Sequence, residues 1–264
     1  MDKEPYNGGS VSPDSGYYRE GTGFSATANS GCKFHHWLIN GYSKSYSRTY
    51  QAWNPCKLKA IFYIRVRLYV YDSEYYGISG LGTRVYLDWK YPESVSGNRY
   101  EWYVPKGSHT LSVSYRVTAF GYTVGFYKWS DGITSTSRTI YVYSPASYTA
   151  YYKTKLLFRN VKGAWGWEIW GIKAKYAVWG EVVSVHGKKV SGVTVSAKFR
   201  VYNGIQTFYR YSSATTNWYG SFTCEATGYD WPISVKADIT ASKRGYESVT
   251  KTGISCPYSK AIPT

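Results

Sequence analysis

The sequence predicts an all-β protein made of tandem small β modules and of Ig-like or transthyretin-like β-sandwiches. Aromatic residues make up 19% of the 264 residues, and tyrosine and tryptophan favour strands. Residues 64–71 alternate apolar and polar side chains, as a strand with one buried face does. One aromatic motif also occurs twice, and a repeat of this kind is normally a single folding unit. These observations predict many strands arranged in related modules.

The repeated motif starts with two aromatic residues three positions apart, Phe34 with Trp37 and Phe126 with Trp129. Each copy continues with Arg-Thr, a proline and an Ala-x-aromatic ending, and the spacing is identical from the arginine onward. The continuation is Arg48, Thr49, Pro55, Ala60 and Phe62 in the first copy, and Arg138, Thr139, Pro145, Ala150 and Tyr152 in the second. We therefore expect the shared residues to build the core and the varied residues to be exposed.

Residues 1–63 are predicted to form the first module. Phe24 and Ala26 alternate with polar residues, which predicts a strand with one buried face. Asn40-Gly41 follows Trp37 directly, and both residues accept the positive φ angles of a tight hairpin turn. Asp131-Gly132 stands at the corresponding place in the second copy.

Four segments of this module carry a resemblance to a known family. They are Gly8-Gly-Ser-Val-Ser-Pro13, Gly21-Thr22, residues 31–37 with Phe34 and Trp37, and Ala60-Ile-Phe62. In this pattern the module resembles the bacterial and archaeal surface repeats that include the internalin B-repeats. The resemblance implies small, arrayed, non-catalytic β modules on secreted or wall-attached proteins, with a spacer or adhesive role.

Residues 64–155 are predicted to form an Ig-like sandwich that contains the second copy of the motif. In residues 64–71 the apolar side chains face one way and the arginines and tyrosines face the other. The second set, a candidate surface for binding glycan or phosphate, consists of Arg65, Arg67, Tyr69 and Tyr71. The alternative is a solvated outer face on which these side chains give cross-strand support.

Residues 156–264 are predicted to form the C-terminal sandwich, and three tryptophans lie close together near its start. They are Trp165, Trp167 and Trp170, with the first two on one face of a strand. Such a cluster is a candidate platform for stacking a sugar, or alternatively a contact between domains that covers the end of a sheet.

The rest of this segment contains Val178-Trp-Gly-Glu-Val182, a turn at Gly187, Val190-Ser-Gly-Val-Thr-Val195 and a late Gly245-Tyr246. It resembles the carboxypeptidase regulatory-like domain, which implies a transthyretin-type sandwich. Two positions depart from that family: Lys189 replaces a frequent proline, and two aromatic residues separate Asn217 from Gly220.

The four cysteines fall into two pairs, Cys32 with Cys56 and Cys224 with Cys256. Each pair lies within one predicted module, so the sequence predicts two disulfides, an oxidising compartment and an extracellular or cell-surface location. The alternative is four buried thiols. The chain opens without an apolar leader and has no transmembrane run, so an exported protein is expected to be a processed form.

Ionisable residues give little sign of catalysis. His35 and His36 are expected on opposite faces of a strand, so they are not expected to share a metal. Asp72 and Glu74 are a candidate calcium pair, although a turn at the end of a strand explains them too. No nucleophile elbow or phosphate-binding loop occurs. The sequence therefore predicts neither an enzyme nor a cofactor.

Three functions are compatible with these features. The first is a non-catalytic extracellular surface or structural protein, acting as a spacer, an adhesin or a filament subunit. Its partners would be copies of itself or cell-surface proteins, bound through sheet edges. The second is a binding module for anionic polysaccharide or, less favoured, nucleic acid, because the net charge is +16. The third is an accessory region of a secreted hydrolase.

Overall fold

A computed structural model describes residues 2–14, 16–82, 84–168, 172–260 and 262. Every regular element among these residues is a strand, which confirms the predicted all-β class. In residues 1–152 the strands are β1 (Asp2–Glu4), β2 (Gly9–Ser12), β3 (Thr22–Ala28), β4 (Cys32–Ile39), β5 (Ser43–Ser45), β6 (Thr49–Ala52), β7 (Leu58–Asp72), β8 (Val85–Leu87), β9 (Ser94–Ser96), β10 (Arg99–Val104), β11 (Gly107–Val113), β12 (Arg116–Ala119), β13 (Tyr122–Trp129), β14 (Ser137–Val142) and β15 (Ala146–Tyr152).

The remaining strands belong to the C-terminal part of the chain. They are β16 (Thr154–Glu168), β17 (Lys173–Ser184), β18 (Thr194–Tyr202), β19 (Thr207–Thr215), β20 (Ser221–Gly228), β21 (Ser234–Ser242), β22 (Tyr246–Glu247) and β23 (Val249–Ser255). None of the described residues belongs to a helix that is long and apolar enough to span a membrane.

The chain divides into two compact units, residues 1–119 with 126–152, and residues 120–125 with 153–264. The predicted boundary between residues 155 and 156 lies three positions from the observed break. The predicted boundary between residues 63 and 64 falls inside β7, which runs without interruption for 15 residues. Residues on both sides of that predicted boundary therefore share a strand and a unit.

The first unit is organised around β7. Its first half pairs with β4 antiparallel and with β1 parallel, and its second half pairs with β10 antiparallel and with β15 parallel. Every second side chain of β7 is buried, from Leu58 to Asp72, while the residues between them are partly exposed. This strict alternation lets one strand contribute to the core along its whole length while keeping a second face accessible.

Both copies of the repeated motif fold in the same way. Phe34 and Trp37 lie opposite Phe62 and Ala60, just as Phe126 and Trp129 lie opposite Tyr152 and Ala150. A β-bulge interrupts each copy right after its phenylalanine, and both tryptophans are fully buried. The Asn40-Gly41 turn has the predicted positive φ angles, 50° and 83°. The repeat is therefore a structural repeat, and its shared aromatic residues are core residues.

The second unit is a β-sandwich of two four-stranded sheets among its described residues, ordered β20-β17-β16-β22 and β19-β18-β21-β23. Its core contains side chains from both sheets, such as Val178 from β17, Phe199 from β18 and Ile239 from β21. The Val-rich segments of the sequence form the inner faces of these strands because alternate valines point to one side.

The predicted disulfides are absent, since all four cysteines are free thiols. Cys32 lies opposite Ile64 at one end of the β4–β7 pair. At the other end Leu58 lies opposite Ile39, and Cys56 is two residues before Leu58. At about 3.4 Å per residue, more than about 20 Å separates the two cysteines. A disulfide requires Cα atoms within about 7 Å of each other, so this pairing is excluded in this fold.

The second cysteine pair is separated by a strand. Cys224 on β20 and Gly163 on β16 flank Val178 of β17 from opposite sides, which places them about 10 Å apart. The sulfur of Cys256 occupies the space beside Gly163, 2.5 Å from where a Cβ atom would stand. Each thiol contacts a backbone carbonyl instead, Cys224 that of Val195 at 3.4 Å and Cys256 that of Ile254 at 3.6 Å.

Candidate functional site

The best candidate for a binding surface is the accessible side of β7. Arg65, Arg67, Tyr69 and Tyr71 all lie there, partly exposed, as the alternation in the sequence predicts. Ile64, Val66, Leu68 and Val70, on the other side of the same strand, are fully buried. The structure therefore brings all four of these candidate residues to one face of one strand.

Neighbouring strands extend this face with the same residue types. On β4, Lys33 lies opposite Tyr63. On β10, Tyr103 lies opposite Arg65 and Arg99 lies opposite Tyr69. On β15, Tyr151 lies opposite Tyr71. We call this surface the outer face; its members are Lys33, Tyr63, Arg65, Arg67, Tyr69, Tyr71, Arg99, Glu101, Tyr103 and Tyr151. Tyr63 and Tyr71 are eight residues apart, so the outer face is about 27 Å long.

Two carboxylates neutralise part of the positive charge. Glu101, only 8% exposed, lies between two arginines; its Oε1 is 2.5 Å from Arg67 Nε and 3.4 Å from Arg99 Nε. The hydrogen bond to Glu101 raises the pKa of Arg67. Glu93 pairs with Lys33 at 3.1 Å, and no carboxylate among the described residues pairs with Arg65. The outer face keeps a net positive charge on an aromatic background.

A cavity of about 430 Å³ opens at the Tyr63 end of the outer face. His35 stacks on Tyr63 with ring centroids 3.9 Å apart, and the Lys33 ammonium lies 5.4 Å from the centroid of the Tyr103 ring. Its ionisable and aromatic lining residues are Lys33, His35, Tyr63, Asp88, Lys90, Tyr91, Glu93, Trp102, Tyr103 and His109. They come from several separate segments of the chain, so the sequence offered no local pattern by which to find the cavity.

Asp88 and His109 form the most buried hydrogen-bonded pair of side chains in this cavity. The His109 Nδ1 lies 2.6 Å from Asp88 Oδ2, and its Nε2 lies 2.8 Å from the carbonyl oxygen of Pro105. Burial acts to raise the pKa of Asp88, but the hydrogen bonds from His109 and from the Thr110 amide outweigh it and lower that pKa. Both ring nitrogens of His109 are thus engaged, one with Asp88 and the other with Pro105, which fixes the orientation of the ring.

The expectation that His35 and His36 point to opposite faces is wrong. The bulge after Phe34 interrupts the alternation, so the two Nδ1 atoms lie 2.6 Å apart and one ring donates to the other. Burial lowers the pKa of both histidines, and Lys44 lowers it further. The two imidazoles are therefore held in the neutral form near pH 7.

A larger cavity of about 960 Å³ lies elsewhere in the first unit. It combines exposed aromatic side chains with amides, carboxylates and basic groups, a mixture suited to polar ligands with flat faces. Its main polar and aromatic lining residues are Asp2, Tyr17, Tyr18, Arg19, Glu20, Asn40, Trp53, Asn54 and Lys57.

The tryptophan cluster of the second unit does not form a flat platform. Trp165 is 9% exposed and belongs to the core, and its ring is tilted 81° from that of Trp167 at 6.0 Å. Trp231 continues the cluster at 5.1 Å from Trp167, tilted 58°. A sugar ring stacks on an exposed planar face, whereas Trp165 and Trp167 pack edge to face and Trp231 is tilted against Trp167. Trp170, the third predicted member, lies outside the described residues.

Asp72 serves a turn at the end of β7. It is 1% exposed, and its Oδ1 accepts hydrogen bonds from the amides of Glu74 at 2.9 Å and Tyr76 at 3.0 Å. The described part of the chain contains no group of three or more His, Cys, Asp or Glu side chains that could hold a metal ion. The turn accounts for the aspartate at position 72.

Comparison with known proteins gives weak similarities only. No protein-family model and no curated protein matches the chain. A solved DUF3823 family protein from Parabacteroides merdae is 9% identical and covers 73% of this chain and 97% of its own, with a TM-score of 0.26. One from Bacteroides ovatus is 14% identical over the same shares, with a TM-score of 0.25. Scores this low establish neither a shared fold nor a shared function.

Proposed function

We propose that the protein is a non-catalytic structural protein of a cell surface, acting as a spacer or adhesin. The observation that carries this proposal is the distribution of tyrosine: more than half of the 31 tyrosines have exposed side chains. Tyrosine provides a large, rigid contact area at a low cost in side-chain entropy, which is why binding surfaces are rich in it. A surface so rich in tyrosine is suited to contacts with other macromolecules.

The structural repeat supports the same proposal. The two copies share the buried Phe and Trp residues, whereas the positions between them are His35 and His36 in one copy and Tyr127 and Lys128 in the other. His36 is buried and the other three are only partly exposed, so the expectation that the varied residues are exposed is wrong. The proposal uses the repeated core, because recurring modules are typical of arrayed surface proteins. The resemblance of residues 1–63 to internalin B-repeats points the same way.

Immunolabelling of intact and permeabilised cells of the source organism tests the location. We expect antibodies to the purified chain to label intact cells, and external protease to remove the label. Labelling that appears only after permeabilisation would overturn the surface proposal. Because the four thiols are free, the cysteines give no support to an extracellular location, and this experiment decides it.

A second candidate is the binding of an anionic polysaccharide along the outer face. It is favoured by the net positive charge of that face, by Arg65, and by the tyrosines that flank the two arginines along β7. Guanidinium groups pair with sulfate or carboxylate groups, and phenol rings pack against sugar rings. The length of about 27 Å leaves room for several sugar units.

Heparin fragments and duplex DNA, titrated at several salt concentrations, test this candidate. We expect binding to heparin that weakens steeply with salt, because cations are released when charges are neutralised. Arg65→Ala should weaken it, whereas Arg244→Ala, which removes the same charge from an exposed turn of the second unit, should not. Equal effects of the two variants, or no binding at low salt, would exclude the outer face as the site.

A further inference from the structure

Strand β19 forms an open edge of the sandwich in the second unit. It is the outermost strand of the sheet β19-β18-β21-β23, and its only ladder within the described residues is with β18. That ladder contains nine consecutive pairs, from Thr194 with Thr215 to Tyr202 with Thr207, without a bulge. The second edge of β19 therefore offers nine residues of regular, extended backbone.

Two hydrogen bonds at the ends of the ladder fix which backbone groups face the open edge. The Asn203 amide donates to the Gln206 carbonyl, and the Thr216 amide donates to the Val193 carbonyl. Bonded and non-bonded pairs alternate in an antiparallel ladder, so the even-numbered residues of β19 bond to β18. Residues 207, 209, 211, 213 and 215 then point their amides and carbonyls outward. The Arg210 side chain donating to the Tyr209 carbonyl at 3.1 Å agrees with this assignment.

This edge carries one of the features by which proteins prevent edge pairing, a charged residue on the core side of the strand, and lacks the others. Proline, lysine and bulges are the common protections, and none of them occurs in β19. The only charged residue is Arg210, whose guanidinium is paired with the buried carboxylate of Asp230 at 2.8 Å. Tyr209 and Tyr211 are exposed beside the open backbone groups.

We propose that β19 pairs antiparallel with β19 of a second copy, around a two-fold axis at Tyr211. Tyr211 is the central residue of β19, so this register pairs all nine residues of the strand. Each outward amide or carbonyl then meets an outward carbonyl or amide of the partner strand. Arg210 comes opposite Ser212 and Tyr209 opposite Ser213, so no like charges face each other. The sheet β19-β18-β21-β23 of one copy and the same sheet of the second copy become one sheet of eight strands. The interface is isologous, because both copies contribute the same residues to it.

The side chains agree with this register as well. Odd-numbered residues of β19 lie on the solvent side of the sheet and even-numbered residues on the core side, because Phe208 and Ala214 pack against the core. In this antiparallel register, the solvent side of one sheet continues into the solvent side of the other. Tyr211 then faces Tyr211 of the second copy, an aromatic cross-strand pair of the kind that stabilises sheets. This interaction does not depend on where the protein is located.

Sedimentation equilibrium of the full chain over a range of concentrations measures the association. We expect a monomer–dimer equilibrium that Tyr211→Pro weakens at least tenfold, because proline removes an outward amide at the centre of the interface. Proline is tolerated at such an edge position, so the monomer should still fold. Tyr211→Lys, which opposes two like charges, should weaken the dimer as well. Ser196→Lys is the matched control: it places a lysine on the same side of the sheet in β18, and it should leave the dimer intact.

Hydrogen exchange shows whether the edge itself is the interface. The amides of residues 209, 211 and 213 should exchange rapidly in the monomer and slowly in the dimer. A wild-type chain that remains a monomer at its highest soluble concentration overturns the proposal. So does a dimer that persists in both Tyr211 variants, or one that leaves these three amides unprotected.

Discussion

Trp37 lies directly opposite Ala60 across the β4–β7 pair, and Trp129 lies opposite Ala150 in the second copy. Both alanines are fully buried, and the small side chain leaves room for the indole that crosses above it. The phenylalanine three positions earlier packs against each indole, at 5.6 Å in the first copy and 5.8 Å in the second. The Ala-x-aromatic ending of the motif is thus the other half of the tryptophan site.

The two tryptophans differ in their polar contacts, and this predicts unequal effects of the same substitution. Trp129 Nε1 donates to the Ser135 carbonyl at 2.7 Å, whereas Trp37 Nε1 is buried without a partner. Trp129→Phe loses a hydrogen bond as well as volume, so we expect it to destabilise the protein by about 1 kcal/mol more than Trp37→Phe does. Denaturant unfolding of both variants measures the difference. An equal or larger loss for Trp37→Phe would contradict this account.

The sequence predicted best where one residue type decides the local structure. The alternation in residues 64–71 correctly placed Arg65 and Tyr69 away from the core, since a strand has a period of two. Asn40-Gly41 correctly predicted positive φ angles, because few other residues adopt them without strain. The repeat correctly identified the buried tryptophans.

The features that the sequence failed to predict depend on pairing between distant segments. The β-bulge after Phe34 brought His35 and His36 together, and nothing in the local alternation indicates where an extra residue enters a strand. The disulfide prediction assumed that cysteines within one module are close, yet β4 and β7 place Cys32 and Cys56 at opposite ends of a pair. The cavity beside Tyr63 could not be predicted, since its lining is assembled by tertiary contacts.

The free thiols predict a specific pattern of alkylation. Cys32 and Cys56 are partly exposed, whereas burial raises the pKa of Cys224 to about 11 and that of Cys256 to about 12. Since the thiolate is the nucleophile, iodoacetamide at pH 8 should leave Cys224 and Cys256 unmodified in the native protein. After unfolding in denaturant without reductant, mass spectrometry should find four modified cysteines. Two unmodified cysteines under those conditions would indicate a disulfide and contradict the structure.

The histidine pair predicts a loss of stability in mild acid. Burial lowers the pKa of both His35 and His36, and Lys44 lowers both further. The neighbouring His35 also lowers the pKa of His36. Lys33 and Lys90 lower that of His35, and Glu93 opposes them. Unfolded histidine binds a proton near pH 6.5, so below that pH the unfolded state takes up more protons than the folded state. The free energy of unfolding should therefore decrease as the pH falls from about 7 to below 6.

Variants of single histidines test the origin of this pH dependence. His36→Gln should reduce the loss of stability between pH 7.5 and pH 5.5, because only one of the two close imidazoles is left to titrate. His186→Gln, which changes a histidine of the second unit, should keep the wild-type dependence. Denaturant unfolding at the two pH values provides the measurement. If His36→Gln retains the full pH dependence, the histidine pair is not its source.

Glu101 limits the positive charge of the outer face, and its removal should increase binding of a polyanion. Glu101→Gln leaves Arg67 and Arg99 without their shared carboxylate, so heparin affinity should rise several-fold and its salt dependence should steepen. The same change should cost on the order of 2 kcal/mol of stability, because a partly buried ion pair loses its acceptor charge. Glu225→Gln removes an equal charge from its pair with Lys175 in the second unit, so it is the matched control. A gain confined to Glu101→Gln would locate polyanion binding on the outer face, and equal gains would indicate that only the net charge of the protein matters.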